Sequence, residues 1–193
     1  MKKEVAVFSG SFNPIHMGHL ILANYIKEFT YVDEIWFIVS PQNPLKNTDC
    51  MLDDDIRLLM TQLALENFVE FKLSNIEFEM PSPSYTIYTL KELSKRYPNN
   101  NFTLIIGADN WVVFNQWKDY EELIKNYKII IYPRKDADVI IQDNYKDSIK
   151  LVNAPLVDIS STFIRRSINE GRNMRAFLPP KVYDYISENN LYR

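Results

Sequence analysis

The 193-residue sequence is poor in cysteine, histidine and glycine, of which it has one, two and four, respectively. A lone Cys50 cannot form an intramolecular disulfide or build a cysteine-rich zinc site, so the composition fits a reducing compartment. Long hydrophobic runs are also missing, and the apolar run at residues 5–8 is too short for a signal peptide or a membrane span. We therefore expect a soluble, cytoplasmic protein with no membrane partner.

The sequence also lacks an excess of positive charge, because 22 Lys and Arg stand against 25 Asp and Glu. A general nucleic-acid-binding protein is usually basic, so we expect no nucleic-acid partner, while a local basic site for a small phosphate ligand stays open. The signatures G-x-G-x-x-G and G-x-x-x-x-G-K-[ST] are both missing, which excludes a standard dinucleotide or P-loop site. The length and the ordinary apolar content fit a single domain over residues 1–193.

Short apolar segments alternate with amphipathic ones along the chain. Strand-like runs rich in β-branched and aromatic residues occupy residues 5–8, 35–39, 69–73, 102–106, 128–132 and 149–152. Helical patterns occupy residues 17–29, 53–67, 85–97, 120–126 and 161–170, and a last helix opens at residues 179–180. The alternation predicts an α/β fold, with a parallel sheet covered by helices on both faces and two C-terminal helices. Ligands in such sheets bind beyond the carboxyl ends of the strands.

Both histidines lie in one stretch, S-G-S-F-N-P-I-H-M-G-H at residues 9–19, between the first predicted strand and the first predicted helix. His16 and His19 can share one face of the helix start, and Gly18 between them lets a ligand approach the backbone. A helix N-terminus attracts anions through its unpaired N–H groups and its dipole. The pattern favours phosphate chemistry, and it leaves open a structural capping pair or half of a metal site.

Two connections that follow strands carry further candidates. Lys46 ends P-Q-N-P-L-K at residues 41–46, after the second strand, where it is either a phosphate-binding cation or a solvated side chain. After the fourth strand, I-G-A-D-N places Gly107 and Asp109 where a ribose or base could sit. A turn with a helix-capping aspartate is the alternative.

The late stretch I-S-S-T-F-I-R, at residues 159–165, reads as a helix start with hydroxyl side chains at its cap. Ser161 and Thr162 share a helix face with Arg165, so N–H groups, hydroxyls and a guanidinium could meet one phosphate there. An ordinary capped helix with a solvated arginine is the alternative.

The stretch G-S-F-N-P-I-H-M-G-H resembles the H-x-G-H signature of the nucleotidyltransferase superfamily, in particular that of bacterial nicotinate-mononucleotide adenylyltransferases. Further matches follow in order: S-Y-T-I-Y-T-L, G-A-D-N, F-N-Q-W-K, I-S-S-T-F-I-R and L-P-P-K-V-Y-D-Y-I. The resemblance covers essentially the whole chain and implies a Rossmann-like sheet of the nucleotidyltransferase type. It also implies the family's reaction in NAD biosynthesis, in which the adenylyl group of ATP passes to nicotinate mononucleotide, giving nicotinate adenine dinucleotide and pyrophosphate.

The resemblance implies roles for individual residues. The catalytic groups around the phosphates would be His16, His19, Lys46 and Arg165. The ATP site would comprise Gly10, Ser11, Phe12, Gly18, Gly107, Asp109, Ser160, Ser161, Thr162 and Arg165. The acceptor side would comprise Lys46, Tyr85, Thr86, Asp109 and Trp117, the indole stacking on the pyridine ring. Mg²⁺ would enter bound to the ATP phosphates, with few protein ligands, and no residue is assigned to a metal.

Three departures from the family pattern are Ser9 in place of a more usual glycine, Leu45 where a histidine often precedes the lysine, and Tyr88 in place of an aspartate. Tyr88 leaves the preference between nicotinate and nicotinamide open. The alternatives are an adenylyltransferase acting on nicotinamide mononucleotide, phosphopantetheine or FMN, a non-catalytic nucleotide sensor, and a metal hydrolase. His16 argues against the phosphopantetheine enzyme, and the intact set of reaction-centre groups argues against a sensor. The sequence does not determine the oligomeric state and is compatible with a homo-oligomer.

Overall fold

A computed structural model describes residues 2–41, 51–135 and 137–193. Within this part of the chain, one parallel sheet contains strands β1 (Lys3–Gly10), β2 (Glu34–Val39), β3 (Phe71–Ser74), β4 (Asn100–Gly107), β5 (Lys128–Tyr132) and β6 (Ile149–Leu151). The strand order is β3-β2-β1-β4-β5-β6. Each predicted strand overlaps an observed one, and the predicted Rossmann-like α/β fold is confirmed.

Helices connect the strands and close the fold. They are α1 (Met17–Phe29), α2 (Asp54–Leu65), α3 (Thr86–Arg96), α4 (Ala108–Val112), α5 (Tyr120–Asn126), α6 (Ser161–Asn169) and α7 (Pro180–Glu188). The short α4 was not predicted, because residues 107–110 also fit a turn. In the described part of the chain, no helix combines the length and the apolar character that a membrane crossing requires.

The helix α6 has the boundaries that its sequence predicts. Ser160 caps its start, since its Oγ accepts a 3.1 Å hydrogen bond from the N–H of Phe163. Gly171 follows the last turn in the left-handed conformation, at φ 74°. The N–H groups of Gly171 and Arg172 then close the end of the helix on earlier carbonyls. These two caps fix where the 159–165 motif begins and how it is oriented.

Helices cover both faces of the sheet. Ala6 and Phe8 of β1 point into a core built with α1, α2, α6 and α7. Val5 and Val7, which alternate with them, point into a second core built with α3 and α5. Strands that are buried on both faces explain why the sequence shows continuous apolar runs rather than alternation.

The strand order reverses between β1 and β4, which pair side by side in the middle of the sheet. β1 leads to β2 on one side, and β4 leads to β5 on the other. The connections that leave Gly10 and Gly107, the last residues of β1 and β4, therefore diverge and open a crevice at the carboxyl edge. Ligands of open parallel sheets bind in this position.

Candidate active site

A cavity of about 300 Å³ lies at this crevice. Among the residues that line it are ten that the sequence predicts: Gly10, Ser11, Phe12, His19, Tyr85, Thr86, Gly107, Asp109, Trp117 and Ser161. His16, Gly18, Ser160, Thr162 and Arg165 are not in this lining. The structure thus brings residues of the predicted nucleotide side and of the predicted pyridine side into one cavity. Lys46 lies outside the described residues.

The loop after β1 is supported by Phe12, which has an unusual backbone conformation. Its φ of 43° lies in the left-handed region, which is costly for a bulky residue and persists only where the surroundings impose it. The ring is buried and meets the ring of His19 edge-on, with 5.1 Å between centroids. A Cβ on Gly10 would come within 3.2 Å of the Phe12 ring, so glycine at that position makes room for it. The loop is therefore built around an aromatic anchor that orients His19.

His19 is held at the start of α1 by its neighbour in the motif. Its Nδ1 accepts a 3.2 Å hydrogen bond from the backbone N–H of His16, and the two imidazole rings stack with 3.7 Å between centroids. Because Nδ1 acts as the acceptor, the ring proton resides on Nε2. The His19 side chain lines the cavity.

His16 lies behind His19 and is only 4% exposed. Burial, and secondarily the charge of Arg134, lower the pKa of His16 to about 3, so the ring is neutral at physiological pH. A Cβ on Gly18 would lie 3.0 Å from Nδ1 of His16 and 3.4 Å from Val157. The glycine thus makes room for the His16 ring, whereas the sequence suggested room for a ligand. Ligand contact by His16 and by Gly18 stays a prediction.

The start of α6 is hydrogen-bonded directly to the loop after β1. Oγ of Ser161 donates to the carbonyl of Pro14 over 2.9 Å. A guanidinium nitrogen of Arg165 donates to the carbonyl of Asn13 over 2.8 Å, and its other terminal nitrogen lies 3.4 Å from Oγ1 of Thr162. The two stretches that the sequence associates with phosphates therefore form one structural unit, although some 150 residues separate them along the chain.

Asp109 faces a cation that the sequence analysis missed. Nε of Arg134, which follows β5, lies 3.7 Å from Oδ1 of Asp109, and its guanidinium donates to the hydroxyl of Tyr132 over 3.1 Å. This Nε is buried without a hydrogen-bond partner among the described residues. A Cβ on Gly107 would lie 3.2 Å from Tyr132 and from Arg134 and would overlap the Asp109 carboxylate, so the glycine leaves room for these three side chains. The sequence signal that could have identified Arg134 as a site residue is its position two residues after the end of β5.

The predicted pyridine side of the cavity contains a buried carboxylate, which the sequence analysis also missed. Glu77 is 4% exposed and accepts 2.9 Å hydrogen bonds from the hydroxyls of Ser84 and Thr89. These two residues flank Tyr85 and Thr86, which form the start of α3. Because a buried carboxylate needs hydrogen-bond donors, Glu77 fixes the N-terminus of α3 against the cavity. The only sequence signal was the pair of hydroxyls at Ser84 and Thr89, on either side of Tyr85 and Thr86.

Trp117 forms an aromatic wall of the cavity. Its ring packs on Phe114 with 5.1 Å between centroids. Its Nε1 is buried and has no hydrogen-bond partner among the described residues. A flat apolar surface with an unused donor at its edge can take a heteroaromatic ring, as the resemblance implies for this residue.

Arg57 in α2 supports the site from inside the protein, and no pattern in the sequence indicates that it is buried. The side chain is fully buried, and its guanidinium donates to the carbonyls of Ser11 and Ser40 over 2.7 and 2.8 Å. It also donates to the carbonyl of Leu52 over 3.0 Å and pairs with Asp54. Arg57 thereby ties the loop after β1 to the connections before and after the undescribed residues 42–50.

No cluster of three or more His, Cys, Asp or Glu side chains that could hold a metal ion occurs in residues 2–41, 51–135 and 137–193. In the cavity, the Asp109 carboxylate faces Arg134. Mg²⁺ bound to the ATP phosphates, with few protein ligands, stays a prediction.

The fold and the cavity together define the class of protein, a cytidylyltransferase-like protein, and the family model of that description matches residues 7–167. A relative from Flavobacterium johnsoniae, named "Probable nicotinate-nucleotide adenylyltransferase", is 46% identical over 191 residues, which cover 98% of this chain and 99% of the relative. A relative of the same name from Bacteroides thetaiotaomicron is 47% identical over 187 residues, covering 97% of this chain and 92% of the relative. The chain belongs to the nicotinate-nucleotide adenylyltransferase family.

Solved structures agree with the fold. The structure of Plasmodium falciparum nicotinic acid mononucleotide adenylyltransferase complexed with NaAD has a TM-score of 0.80 at 22% identity, covering 98% of this chain and 97% of that one. The same enzyme complexed with APC has a TM-score of 0.78 over the same shares of the two chains. At this identity the likeness concerns the fold.

Proposed function

We propose that the chain transfers the adenylyl group of ATP to nicotinate mononucleotide, releasing pyrophosphate and forming nicotinate adenine dinucleotide. The observation that carries the proposal is the single cavity that joins a phosphate-type wall, with His19 and Ser161, to an aromatic wall with Trp117. Both substrates are built from a phosphate and a flat ring, and each wall suits one of these parts. The family to which the chain belongs supports the same reaction.

In the proposed mechanism, a 5′-phosphate oxygen of the mononucleotide attacks the α-phosphorus of ATP. The new P–O bond forms as the bond to the β-phosphate bridging oxygen breaks, and pyrophosphate leaves with that electron pair. The attacking group belongs to the substrate, so the protein supplies no nucleophile. Its contribution is to align the two phosphates and to stabilise the charge that builds on the oxygens.

The residues have separate tasks in this mechanism. His19 donates a hydrogen bond from Nε2 to the phosphate region, and the neutral ring of His16 holds it in place through the stacking and the backbone bond. Arg165 and Arg134 supply positive charge from α6 and from the end of β5. Lys46 is proposed as a third cation on the basis of the resemblance alone. Mg²⁺ is part of the ATP substrate and would offset the charge of its phosphates.

The acceptor end of the cavity is assigned by its aromatic and amide groups. Trp117 would stack on the pyridine ring, and the unpaired N–H groups at the start of α3, around Thr86, would receive the acidic substituent. Asp109 would contact a ribose hydroxyl. A cytoplasmic location is part of the proposal and rests on the lone cysteine of the sequence.

An acceptor panel tests the proposal. Purified protein is incubated with ATP, Mg²⁺ and, in separate reactions, nicotinate mononucleotide, nicotinamide mononucleotide, phosphopantetheine and FMN, and the products are identified by mass. We expect adenylylated product with the highest kcat/KM for nicotinate mononucleotide. A higher kcat/KM for another acceptor would reassign the substrate, and ATP binding without any adenylylated product would indicate a nucleotide sensor.

A further inference from the structure

The segment after α7 returns to the loop that carries the histidines. The hydroxyl of Tyr192 donates a 2.7 Å hydrogen bond to Oδ1 of Asn13, which lies 179 positions earlier in the chain. Asn13 is 4% exposed and lies three residues before His16 in the N-P-I-H stretch. The mechanism proposed above uses neither side chain.

Asn13 connects three separate parts of the protein. Its side-chain oxygen receives the Tyr192 hydroxyl and lies 3.5 Å from the backbone N–H of Leu52, just before α2. Its backbone carbonyl receives the guanidinium of Arg165 over 2.8 Å. The position of Asn13 therefore determines where the loop after β1 lies relative to a cation of the phosphate wall.

The backbone around Tyr192 adopts a conformation that L-residues avoid. Asn190 and Tyr192 have φ values of 52° and 63°, in the left-handed region, which is unfavourable for a large aromatic residue. Such a residue persists only where its surroundings impose the conformation, and such residues concentrate at functional sites. Here the two left-handed residues turn the Tyr192 ring back towards the core, where it packs against the cluster that includes α7.

The surroundings of the Tyr192 hydroxyl keep it a donor. Burial raises the pKa of Tyr192 above its ordinary value, and the charges of Arg165 and Arg57 oppose this only in part. The phenol therefore stays protonated at any working pH. Arg57 also donates to the carbonyl of Ser11 in the same loop. The Tyr192 hydroxyl and the Arg57 guanidinium therefore both stabilise the position of this loop.

We propose that Tyr192 is a positioning residue for adenylyl transfer: through its hydrogen bond to Asn13 it sets the loop after β1 and the guanidinium of Arg165 in their working arrangement. The expected effect on kcat rests on the proposed function, whereas the effect of the Tyr192–Asn13 hydrogen bond on the loop can be measured without it. Tyr192 itself touches no reacting atom.

The test compares Tyr192→Phe with the control Tyr183→Phe. Tyr183 packs against the same core from α7, and in the described structure its hydroxyl does not contact Asn13. We expect kcat to fall roughly two- to tenfold in Tyr192→Phe at saturating substrates, about the factor that one hydrogen bond contributes, and to stay at the wild-type value in the control. A merely structural role would lower the melting temperature and leave kcat measured well below it unchanged.

A double-mutant cycle with Asn13→Ala tests whether Tyr192 affects kcat through Asn13. If Tyr192 acts through Asn13, Tyr192→Phe will lower kcat in the wild-type background and have no further effect in the Asn13→Ala background. Equal factors in both backgrounds, or the same kcat for Tyr192→Phe and the Tyr183→Phe control, would overturn the proposal.

Hydrogen–deuterium exchange separates this inference from the proposed function. We expect the backbone amides of residues 11–19 to exchange faster in Tyr192→Phe than in Tyr183→Phe, whether or not the protein makes the dinucleotide. If the wild-type protein shows no adenylyl transfer but the two variants differ in exchange in this way, the proposed reaction is contradicted and the positional role is supported. Identical exchange in the two variants would contradict the positional role.

Discussion

Oγ of Ser161 donates a 2.9 Å hydrogen bond to the carbonyl of Pro14, a residue 147 positions earlier in the chain. With the bond from Arg165 to Asn13, it joins the N-terminus of α6 to the loop before α1. Two helix N-termini, each able to attract phosphate, are thereby fixed beside one cavity. The account of this protein as an adenylyltransferase depends on that junction, because catalysis by positioning requires the phosphate-binding groups to keep a fixed relative geometry.

His19→Ala removes the proposed Nε2 donor from the phosphate wall. Loss of one donor that stabilises transition-state charge typically lowers kcat by about 10²–10³. We expect a fall of this size in kcat, measured by steady-state kinetics at a temperature at which thermal unfolding shows the variant to be folded. Asn24→Ala, on an exposed position of the same helix, is the control and should keep wild-type kcat. Near-normal turnover in His19→Ala would exclude His19 from the reaction centre.

Trp117→Ala should separate the two substrates. Because the indole is assigned to the pyridine ring, we expect KM for the mononucleotide to rise by roughly 10-fold or more, as for loss of a stacking surface of about 1–3 kcal/mol, and KM for ATP to change little. Trp111→Ala is the matched control, since Trp111 stacks on the same Phe114 ring but does not line the cavity. Equal rises in both KM values would remove Trp117 from the pyridine pocket.

The buried His16 predicts a pH dependence of stability. Its pKa is lowered from 6.5 to about 3 in the folded protein, so between these values the unfolded chain binds more protons than the folded one. The His16 contribution to stability is therefore present near neutral pH and is lost as the pH falls from about 6.5 towards 3. Arg134 and the stacked His19 are the charged and titratable neighbours on this ring.

Urea unfolding between pH 4 and 7 measures this contribution. Replacement of His16 by the non-titrating glutamine should reduce the slope of the unfolding free energy against pH by up to ~1.4 kcal/mol per pH unit, the value for one proton. Carboxylates titrate in both proteins, so the difference between the two slopes isolates His16. Parallel pH profiles would mean that His16 is not buried as described.

Arg57→Met tests the internal support of the loop after β1. Removing this guanidinium leaves several buried carbonyls without their donor, and breaking such a buried charged network costs about 3–5 kcal/mol. Arg96→Met is the contrast, because Arg96 pairs with Glu79 and Glu92 at the surface and should change stability little. Denaturant unfolding of both variants gives the comparison. Comparable losses would contradict the role of Arg57.

Glu77→Gln probes the start of α3, which is assigned to the pyridine end of the cavity in the proposed function. The substitution keeps the size of the side chain but removes the charge that receives the hydroxyls of Ser84 and Thr89. Hydrogen bonds to a charged group contribute about 1.5–3 kcal/mol, so we expect a several-fold higher KM for the mononucleotide and an unchanged KM for ATP. Glu79→Gln, on the surface two residues away, should leave both constants unchanged. An unchanged KM for the mononucleotide in Glu77→Gln would show that the carboxylate does not shape this pocket.

The sequence predicts most of the fold because the strands are buried on both faces and therefore appear as uninterrupted apolar runs. It also predicts the closeness of His16 and His19, because helical spacing brings positions i and i+3 together. Which of the two lines the cavity depends on the tilt of α1 against the sheet, and no local pattern records that tilt. The pyridine-side residues came from the resemblance, since Trp117 by spacing alone fits ordinary core packing.

Three charged residues escaped prediction for a common physical reason. Arg57, Glu77 and Arg134 are surrounded by sequence in which charged side chains are usually solvated. They are buried or turned into the cavity only when distant connections close over the carboxyl edge of the sheet. Each has a partner from another connection, Ser11 for Arg57, Thr89 for Glu77 and Asp109 for Arg134, and such a contact leaves no periodic signal in the sequence.

The most direct test of the account follows the phosphorus atoms of ATP. The protein is incubated with Mg²⁺, nicotinate mononucleotide and ATP that is radiolabelled at either the α- or the γ-phosphorus, and the products are separated by chromatography and their radioactivity is counted. We predict that the α-label appears in nicotinate adenine dinucleotide and the γ-label in pyrophosphate, in equal amounts. Recovery of the α-label in ADP and the γ-label in inorganic phosphate would contradict adenylyl transfer, as would recovery of the α-label only in ATP or AMP.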